Sequence, residues 1–580
     1  MSSHLLSAGL RLSGARLSRA FDRAADDPQA AQLRVLMQIL DRNADTVIGR
    51  GHQFSEITTA AEYRARVPLR DYEGHRPYVD RAVAGEPNVL TIDSLTMLTM
   101  TSGTTAAPKR IPVTAEFAAE QAALTRLWMY HALVEHPKAF AGKILMIASP
   151  AVEGTTDSGV PFGAMSGVAY RRIPRLVRRR YAVPYAASLI VDPQTRYFVT
   201  MRMALEQDVT VVATPNATTL LRLADIATQR AEELIGAVHD GTLGVATPTF
   251  SSVGDVSAHD ALAELNRSLR PNPERARELA DVLATHGSLD PRHCWPRLAL
   301  IGCWLGGTAG LHASHLAARF GPQVPLRDLG LIASEGRMTV PLCDANAAGP
   351  LAVDTNFYEF IPEDRIDDAN PPMLLAHELE DTKRYYIVLT TSSGLYRYDI
   401  NDIVEVRGFC GRTPQVAFVR KGRDMVNIVG EKLHLNQVQD ALRDAAATAG
   451  IAVWQYRLIP NAATCSYDLL VETTPESTTV SQHQGRGFLQ TFDAGLAVRN
   501  VEYSAKRSSG RLAQTTLHLM APGWSEAECR RDFEHGKREV QHKWAAIGLV
   551  WDDHSRTAVR TTFAVLDLDV RDAAPMAAAG

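Results

Sequence analysis

From residue 92 to residue 333, short apolar runs alternate with stretches of helical periodicity, and no other feature restricts the fold as strongly. The apolar runs are 92–100, 142–149 (GKILMIAS), 209–213 and 297–305 (RLALIGCWL). Between and after them lie 115–131, 218–239 and 311–320, rich in alanine and leucine at helical spacing. Strands that follow one another through a helix run parallel, because only a crossover of a dozen or more residues returns the chain to the same sheet edge. Their near-continuous apolar character means that both faces are covered. The reading is an α/β fold with mostly parallel sheets in a large N-terminal domain.

The flanking segments differ. Residues 1–90 read as helical, with Leu33, Leu36, Met37 and Leu40 on one stripe. Residues 356–362, 384–391, 395–406 and 415–419 read as strands punctuated by Gly, Asn and Asp, which makes a β-rich subdomain. From Gly422 the character changes to a helix at 435–447 and alternating segments at 452–459, 467–472 and 515–520, a small α+β cap of ferredoxin-like type. A length of 580 residues allows two to four domains on a prior of ~150 each. The expected division is 1–422, a hinge at 423–430, a cap at 431–573 and a disordered tail at 574–580.

Residues 99–112 (TMTSGTTAAPKRIP) set the hydroxyls of Thr99, Thr101, Ser102, Thr104 and Thr105 around Gly103 and close on Pro108, Lys109 and Arg110. Backbone N–H groups at a glycine turn, short hydroxyls and one mobile ammonium can wrap an anion. The spacing G-x-x-x-x-G-K-[ST] is absent, which excludes a P-loop. A Ser/Thr-rich surface turn has the same composition, so context decides. An apolar run before the loop and a helix after it predict strand, loop, helix, the arrangement that presents N–H groups to phosphate.

Composition removes several classes. With 61 Lys+Arg against 65 Asp+Glu and a pI near 6.5, nothing asks for nucleic acid or an anionic membrane. The densest basic run, Arg171-Arg172 through Arg178-Arg179-Arg180, reads as a solvated face. Six cysteines without any C-x-x-C argue against a disulfide scaffold or zinc ribbon and fit a reducing compartment, and His293-Cys294 lacks a matching ligand pair. No window of ~18 apolar residues could span a bilayer. The N-terminus, amphipathic and interrupted by arginines, reads as a surface helix rather than a leader, so a cytoplasmic location is expected. No segment points to a protein partner.

Four separated segments then fall into one order. Residues 101–112 (TSGTTAAPKRIP), 330–338 (GLIASEGRM), 394–404 (GLYRYDINDIV) and 422–438 (GRDMVNIVGEKLHLNQV) resemble the three signatures and the hinge of the acyl-acid amido synthetases, the GH3 family, which includes the plant auxin- and jasmonate-conjugating enzymes. That family sits within the adenylate-forming superfamily of acyl-CoA synthetases, luciferase and nonribosomal adenylation domains. The chain departs from the family pattern in four places. Ala106-Ala107 stand where a glycine is usual, Leu331 stands for an adenine-stacking aromatic, Asn401 for a glycine and Asp399 for a frequent basic residue. Asparagine tolerates positive φ, so the turn at 401 should survive, whereas Asp399 should make the ribose side more negative.

The resemblance implies ATP and Mg²⁺ as cofactors, with a carboxylic acid and an amine, typically an amino acid, as substrates. Ser102, Gly103, Thr104 and Thr105 would hold the β- and γ-phosphates beside Lys109. Ile332 and Ala333 would face adenine, Ser334 the α-phosphate, and Glu335 the Mg²⁺. Asp402 and Arg423 would bind the ribose, and Asp424 would be the hinge. Lys432 and Lys543 are the cap lysines implied to act in catalysis. The physical need is consistent: turning a carboxylate into an acyl-adenylate requires charge neutralisation and in-line placement, with no covalent nucleophile on the protein. A thioester-forming acyl-CoA or acyl-carrier ligase, and a non-catalytic nucleotide- or acid-binding relative, remain as alternatives. The aromatic run Phe357-Tyr358-Glu359-Phe360 reads as core.

Overall fold

The computed structural model describes residues 3–564 except 102–108, 252–255, 308, 367, 369, 423–424, 427, 429–430, 432, 462, 476–478, 509–510, 535–543 and 549. By backbone contacts the chain divides into two units, Met1–Val419 and Arg420–Gly580. The first opens with helices α1 (Ser3–Asp26), α2 (Pro28–Arg42), α3 (Val47–Gly51), α4 (Ala60–Arg66) and α5 (Tyr72–Val83). Helix α2 starts where the Asp27 carboxylate accepts the Ala30 N–H and Pro28 takes the first helical position, needing no donor. Its buried face is Val35, Leu36, Ile39 and Leu40, packed toward Phe54, Tyr63 and Tyr396, while Leu33 is 41% exposed. The expected stripe through Leu33 is therefore rotated: the aliphatic positions 35, 36, 39 and 40 complete a wider apolar face.

Next come β1 (Met97–Thr101), β2 (Lys109–Val113) and α6 (Ala115–Glu135). Here the sequence reading needs correction. Strand β2 pairs antiparallel with β1, Thr101 opposite Lys109, so 102–108 joins two strands of a hairpin and a strand separates loop from helix. Pro112 is tolerated because β2 is the edge strand of its sheet. Thr114 then caps α6, its hydroxyl accepting the Phe117 N–H at 3.2 Å.

The chain continues through β3 (Lys143–Met146), β4 (Gly154–Thr155), β5 (Pro161–Gly163), α7 (Met165–Arg172), α8 (Arg175–Arg178), α9 (Pro193–Leu205), β6 (Val209–Ala213), β7 (Leu300–Gly302) and β8 (Leu326–Arg327). Strands β3, β6, β7 and β8 form a wholly parallel sheet in that order, as the alternation predicts. All four carboxyl ends therefore meet one edge, where α/β sheets place ligands. Strands β2, β1, β5 and β4 form a mixed sheet with β1 and β5 parallel. The arginine run on α7 and α8 is mostly exposed, as its reading as a solvated face requires. The polar segment 248–276 contains the helix Ala258–Arg267 and the start of the helix Pro273–His286.

The β-rich part contributes β9 (Ile332–Ala333), β10 (Gly336–Arg337), β11 (Gly349–Pro350), β12 (Phe357–Pro362), β13 (Leu374–Leu375), β14 (Arg384–Thr390), β15 (Tyr398–Cys410) and β16 (Thr413–Lys421). Six of these form an antiparallel sheet ordered β11-β16-β15-β14-β12-β13. Phe357, Tyr358 and Phe360 are fully buried there, so the aromatic run is core. Strand β15 carries a bulge: Ile387 faces Asp402 but Val388 faces Asp399, leaving Ile400 and Asn401 unmatched. Asn401 sits at φ +61°, the left-handed conformation that glycine holds in the family pattern.

The second unit is an α+β layer. Strands Val453–Asn461, Ser466–Thr473, Thr516–Met520 and Val559–Phe563 lie in that order, with the central pair parallel and the outer pairs antiparallel. The sheet is mixed with strands in sequence order, so the ferredoxin-like expectation does not hold. Helices Leu435–Ala449 and Gln482–Arg499 pack on one another. Among the described residues, no helix is long and apolar enough to cross a membrane.

Candidate active site

Three of the four signature segments meet at one hydroxyl. Lys109 opens β2, Glu335 sits in the two-residue turn between β9 and β10, and Tyr398 opens β15. Lys109 Nζ donates to Tyr398 Oη at 3.3 Å, and Tyr398 Oη donates to Glu335 Oε1 at 3.2 Å. Glu335 is only 5% exposed. The ammonium also lies 5.8 and 5.9 Å from the ring centroids of Tyr72 and Tyr398, within cation–π range.

Burial and the nearby carboxylates of Glu335, Asp399 and Asp402 push the Tyr398 phenol far above its ordinary pKa, so it remains a neutral donor. His75 packs edge-on against the same ring at 5.5 Å. Its Nε2 accepts the Tyr396 N–H and its Nδ1 faces the Asp71 carbonyl, and burial lowers its pKa to about 4. It therefore supports the ring without adding charge near pH 7.

The other predicted residues take these places. Ile332 and Ala333 pair with Arg337 and Gly336 in the tight hairpin whose turn is Ser334-Glu335. Leu331 and Ala333 pack onto the core of the antiparallel sheet. Asp402 is buried on β15, one bulge beyond Tyr398. Asp399 accepts the Asn401 N–H at 2.7 Å, so one of its oxygens braces the bulge. Ser102, Gly103, Thr104, Thr105, Arg423, Asp424, Lys432 and Lys543 lie outside the described residues, as do Ala106 and Ala107.

Sequence reasoning named neither Tyr398 nor the clamp behind the second signature. Tyr398 sits inside the third signature, GLYRYD, but no periodicity marks it, since Arg397 at φ +47° breaks the strand alternation just before it. The clamp is Asp328, 3% exposed, which accepts the N–H groups of Leu305 and Gly330, both at 2.6 Å. Trp304 Nε1 donates to the Gly330 carbonyl, and Trp128 Nε1 to that of Asp328. Gly330 stands at φ +97°, and a Cβ there would lie 2.4 Å from the Thr339 carbonyl oxygen.

The residues present fit a magnesium-bound polyphosphate. A shielded carboxylate matches the preference of Mg²⁺ for few protein ligands, and Lys109 offers a charge beside it. Thr99, two residues before the loop's described edge is lost, holds its hydroxyl oxygen buried with no hydrogen-bond partner among the described residues. A second cluster within ligand distance, Glu135, His136 and Asp344, reads differently. The buried Arg327 guanidinium pairs with both carboxylates and His136 with Asp344, so this is an ion-pair knot.

Beside the site, Glu120 of α6 accepts the Ser392 hydroxyl at 2.6 Å, and burial raises its pKa to about 7 from an ordinary 4.5. The charges of Glu116 and Asp354 act in the same direction, and Arg42 opposes them. An acid whose pKa rises on folding is favoured in its protonated form. Its burial is harmless below pH 4.5; the cost builds between pH 4.5 and about 7 and is constant above that. Glu120→Gln should therefore melt with wild type at pH 4 and above it at pH 8. Scanning calorimetry at the two pH values checks this.

The paired sheets of the first unit and the mixed-sheet second unit define an adenylate-forming fold. A 2-hydroxyisobutyryl-CoA ligase in the postadenylation state shares it at a TM-score of 0.52 and 13% identity, covering 91% of each chain. A GH3.15 acyl acid amido synthetase in complex with 2,4-DB superposes at 0.82 with 18% identity over 95% of this chain and 97% of that one. The chain belongs to the GH3 family: the family's N-terminal domain matches residues 17–326, its central domain 349–421 and its C-terminal domain 436–547. Similar curated proteins include the indole-3-acetic acid-amido synthetase GH3.8 of Oryza sativa subsp. indica, 25% identical over 88% of this chain and 86% of that protein. Another is the indole-3-acetic acid-amido synthetase GH3.17 of Arabidopsis thaliana, 26% identical over 72% of each.

Proposed function

We propose that this protein is an ATP- and Mg²⁺-dependent acyl-acid amido synthetase that adenylates a carboxylic acid and transfers the acyl group to an amine, an amino acid by preference. The observation that carries the reading is the convergence of Lys109, Tyr398 and Glu335, drawn from three distant segments. Family membership and the curated relatives support it.

In the first half-reaction, a carboxylate oxygen bonds to the α-phosphorus of ATP as the bond to pyrophosphate breaks. Ser102, Thr104, Thr105 and the Gly103 backbone hold the β- and γ-phosphates, and Lys109 adds charge at the loop's end. Glu335 would hold Mg²⁺, and the ion would supply neutralisation of phosphate charge. The neutral Tyr398 hydroxyl fixes the orientation of Glu335. Ile332 and Ala333 back the adenine, Ser334 approaches the α-phosphate, and Asp402 and Arg423 take the ribose hydroxyls.

In the second half-reaction, the amine nitrogen bonds to the acyl carbon, AMP leaves with the carbon–oxygen electron pair, and the nitrogen releases a proton. Rotation at 423–430 about Asp424 brings Lys432 and Lys543 of the second unit into play, because a hinge must absorb two backbone states. A cytoplasmic location belongs to this reading, since six cysteines without any C-x-x-C fit a reducing compartment.

Purified protein with ATP and a panel of carboxylic acids should catalyse acid-dependent pyrophosphate exchange. With an accepted acid it should then form amides with amino acids. Thioester formation with CoA in place of amide formation would overturn the choice of acceptor.

A further inference from the structure

Lys109 and Tyr398 meet although their strands lie in different sheets, β2 beside β1 in the mixed sheet and β15 in the six-stranded antiparallel one. Backbone pairing fixes the spacing of strands within a sheet, but it sets nothing between two sheets. Helix α5 packs against both strands.

Its first turn does so with two side chains on one face. Asp71 caps the helix by accepting the Gly74 N–H at 3.1 Å, which fixes where the turn begins. Tyr72, 1% exposed, and His75, 0% exposed, follow at the i,i+3 spacing that brings side chains together. Tyr72 Oη accepts the Arg110 N–H at 2.7 Å, one residue beyond Lys109 on the edge strand, and its ring faces the Lys109 ammonium. His75 Nε2 accepts the Tyr396 N–H at 3.2 Å, and its ring packs edge-on against that of Tyr398. Arg70, just before the cap, completes the hold. Its N–H donates to the Arg397 carbonyl at 3.1 Å and its carbonyl accepts the Asp399 N–H at 2.8 Å, one on each side of Tyr398. Core packing alone would bury the two rings. It would not bring both of their polar atoms onto backbone within two residues of Lys109 and Tyr398.

The geometry points to the first turn of α5 as a bracket that sets the spacing between Lys109 and Tyr398, with Tyr72 and His75 as positioning residues for the adenylating step. This rests on the adenylating reading above. Both residues act through other groups. Tyr72 holds the strand that carries the ammonium, His75 holds the ring that carries the hydroxyl, and that hydroxyl orients Glu335.

Crystal structures of variants and a double-variant cycle in acid-dependent pyrophosphate exchange test the bracket. In crystals of Tyr72→Phe and of His75→Leu, Lys109 Nζ and Tyr398 Oη should stand beyond hydrogen-bond reach. Misplacement by about 1 Å can cost about 10²-fold in rate, so loss of one anchor should lower exchange about tenfold. Tyr398→Phe removes the group that the bracket places. Combined with it, Tyr72→Phe or His75→Leu should add little, giving about tenfold in all rather than about 10²-fold, because residues that act as a unit are not additive. A residue that only supports the fold would give losses that multiply. His75→Gln sets an amide oxygen near the place of Nε2 and should keep most of the exchange. Tyr72→Phe differs from wild type by one oxygen atom, so the test does not depend on a disruptive change being tolerated. An unchanged Lys109–Tyr398 contact in either variant crystal, or losses that multiply with Tyr398→Phe, would overturn the bracket. If the wild type exchanges with no acid, the adenylation reading falls and the crystals alone decide the bracket.

Discussion

Glu335→Ala is expected to lower acid-dependent pyrophosphate exchange by about 10²–10³-fold, the usual result of removing one group that stabilises developing charge in a transition state. Asp402→Asn should fall on a similar scale through loss of ribose placement. Both variants should fold. Among the described residues, the hydrogen bond that Glu335 makes is the one from Tyr398, and losing such a bond costs about 1 kcal/mol of stability. The barrier should rise by about 3–4 kcal/mol, so activity and stability separate clearly. Tyr398→Phe should give a smaller loss, about tenfold, because it removes the orienting hydroxyl and leaves the carboxylate. Exchange assays paired with circular-dichroism melting measure both quantities. Full exchange in both Glu335→Ala and Asp402→Asn would remove these residues from the catalytic site.

Glu359→Ala is expected to be the most destabilising single change near the site. Glu359 is 1% exposed and accepts Arg64 Nε at 2.9 Å and Arg397 Nε at 2.8 Å. Removing one partner of a buried ion pair leaves an uncompensated charge and costs about 3–5 kcal/mol. Arg64 is 26% exposed and can recover water, while Arg397 at 7% cannot, which favours the lower end. Arg397 also bonds the Val67 carbonyl at 2.8 Å and holds φ +47°, a conformation few side chains adopt unforced. Glu359→Gln keeps an acceptor and should lose about half as much. Urea unfolding followed by tryptophan fluorescence reads the change. A shift of under about 0.5 kcal/mol in Glu359→Ala would show that the arginines find other partners.

Particular elements show why parts of this architecture were legible and others were not. The parallel sheet followed from apolar runs separated by helical stretches, since buried strands leave no polar alternation to confuse the period. Strand β2 escaped because Pro108-Lys109-Arg110 and Pro112 look like loop; only an edge position makes that proline acceptable. The helix Gln482–Arg499 escaped because Gly485, Gly487 and Gly495 weaken the helical pattern. In the fold Gly485 is required, since a Cβ would stand 2.5 Å from the Phe563 ring. At the candidate site, Lys109, Glu335 and Asp402 were visible because three motifs name them. The Arg64–Glu359–Arg397 bridge was not, because Arg64 lies 295 positions and Arg397 38 positions from Glu359, and no local pattern links them.

Asp328 has a practical consequence for anyone recombining this protein with its relatives. One carboxylate secures both the 304–307 turn and the start of the second signature. Neither stretch is therefore an independent cassette. A chimera that imports one without the other strands a buried acid whose pKa is already raised to about 6. Crossover points should fall outside the pair, so that both stretches and their shared acid come from a single parent.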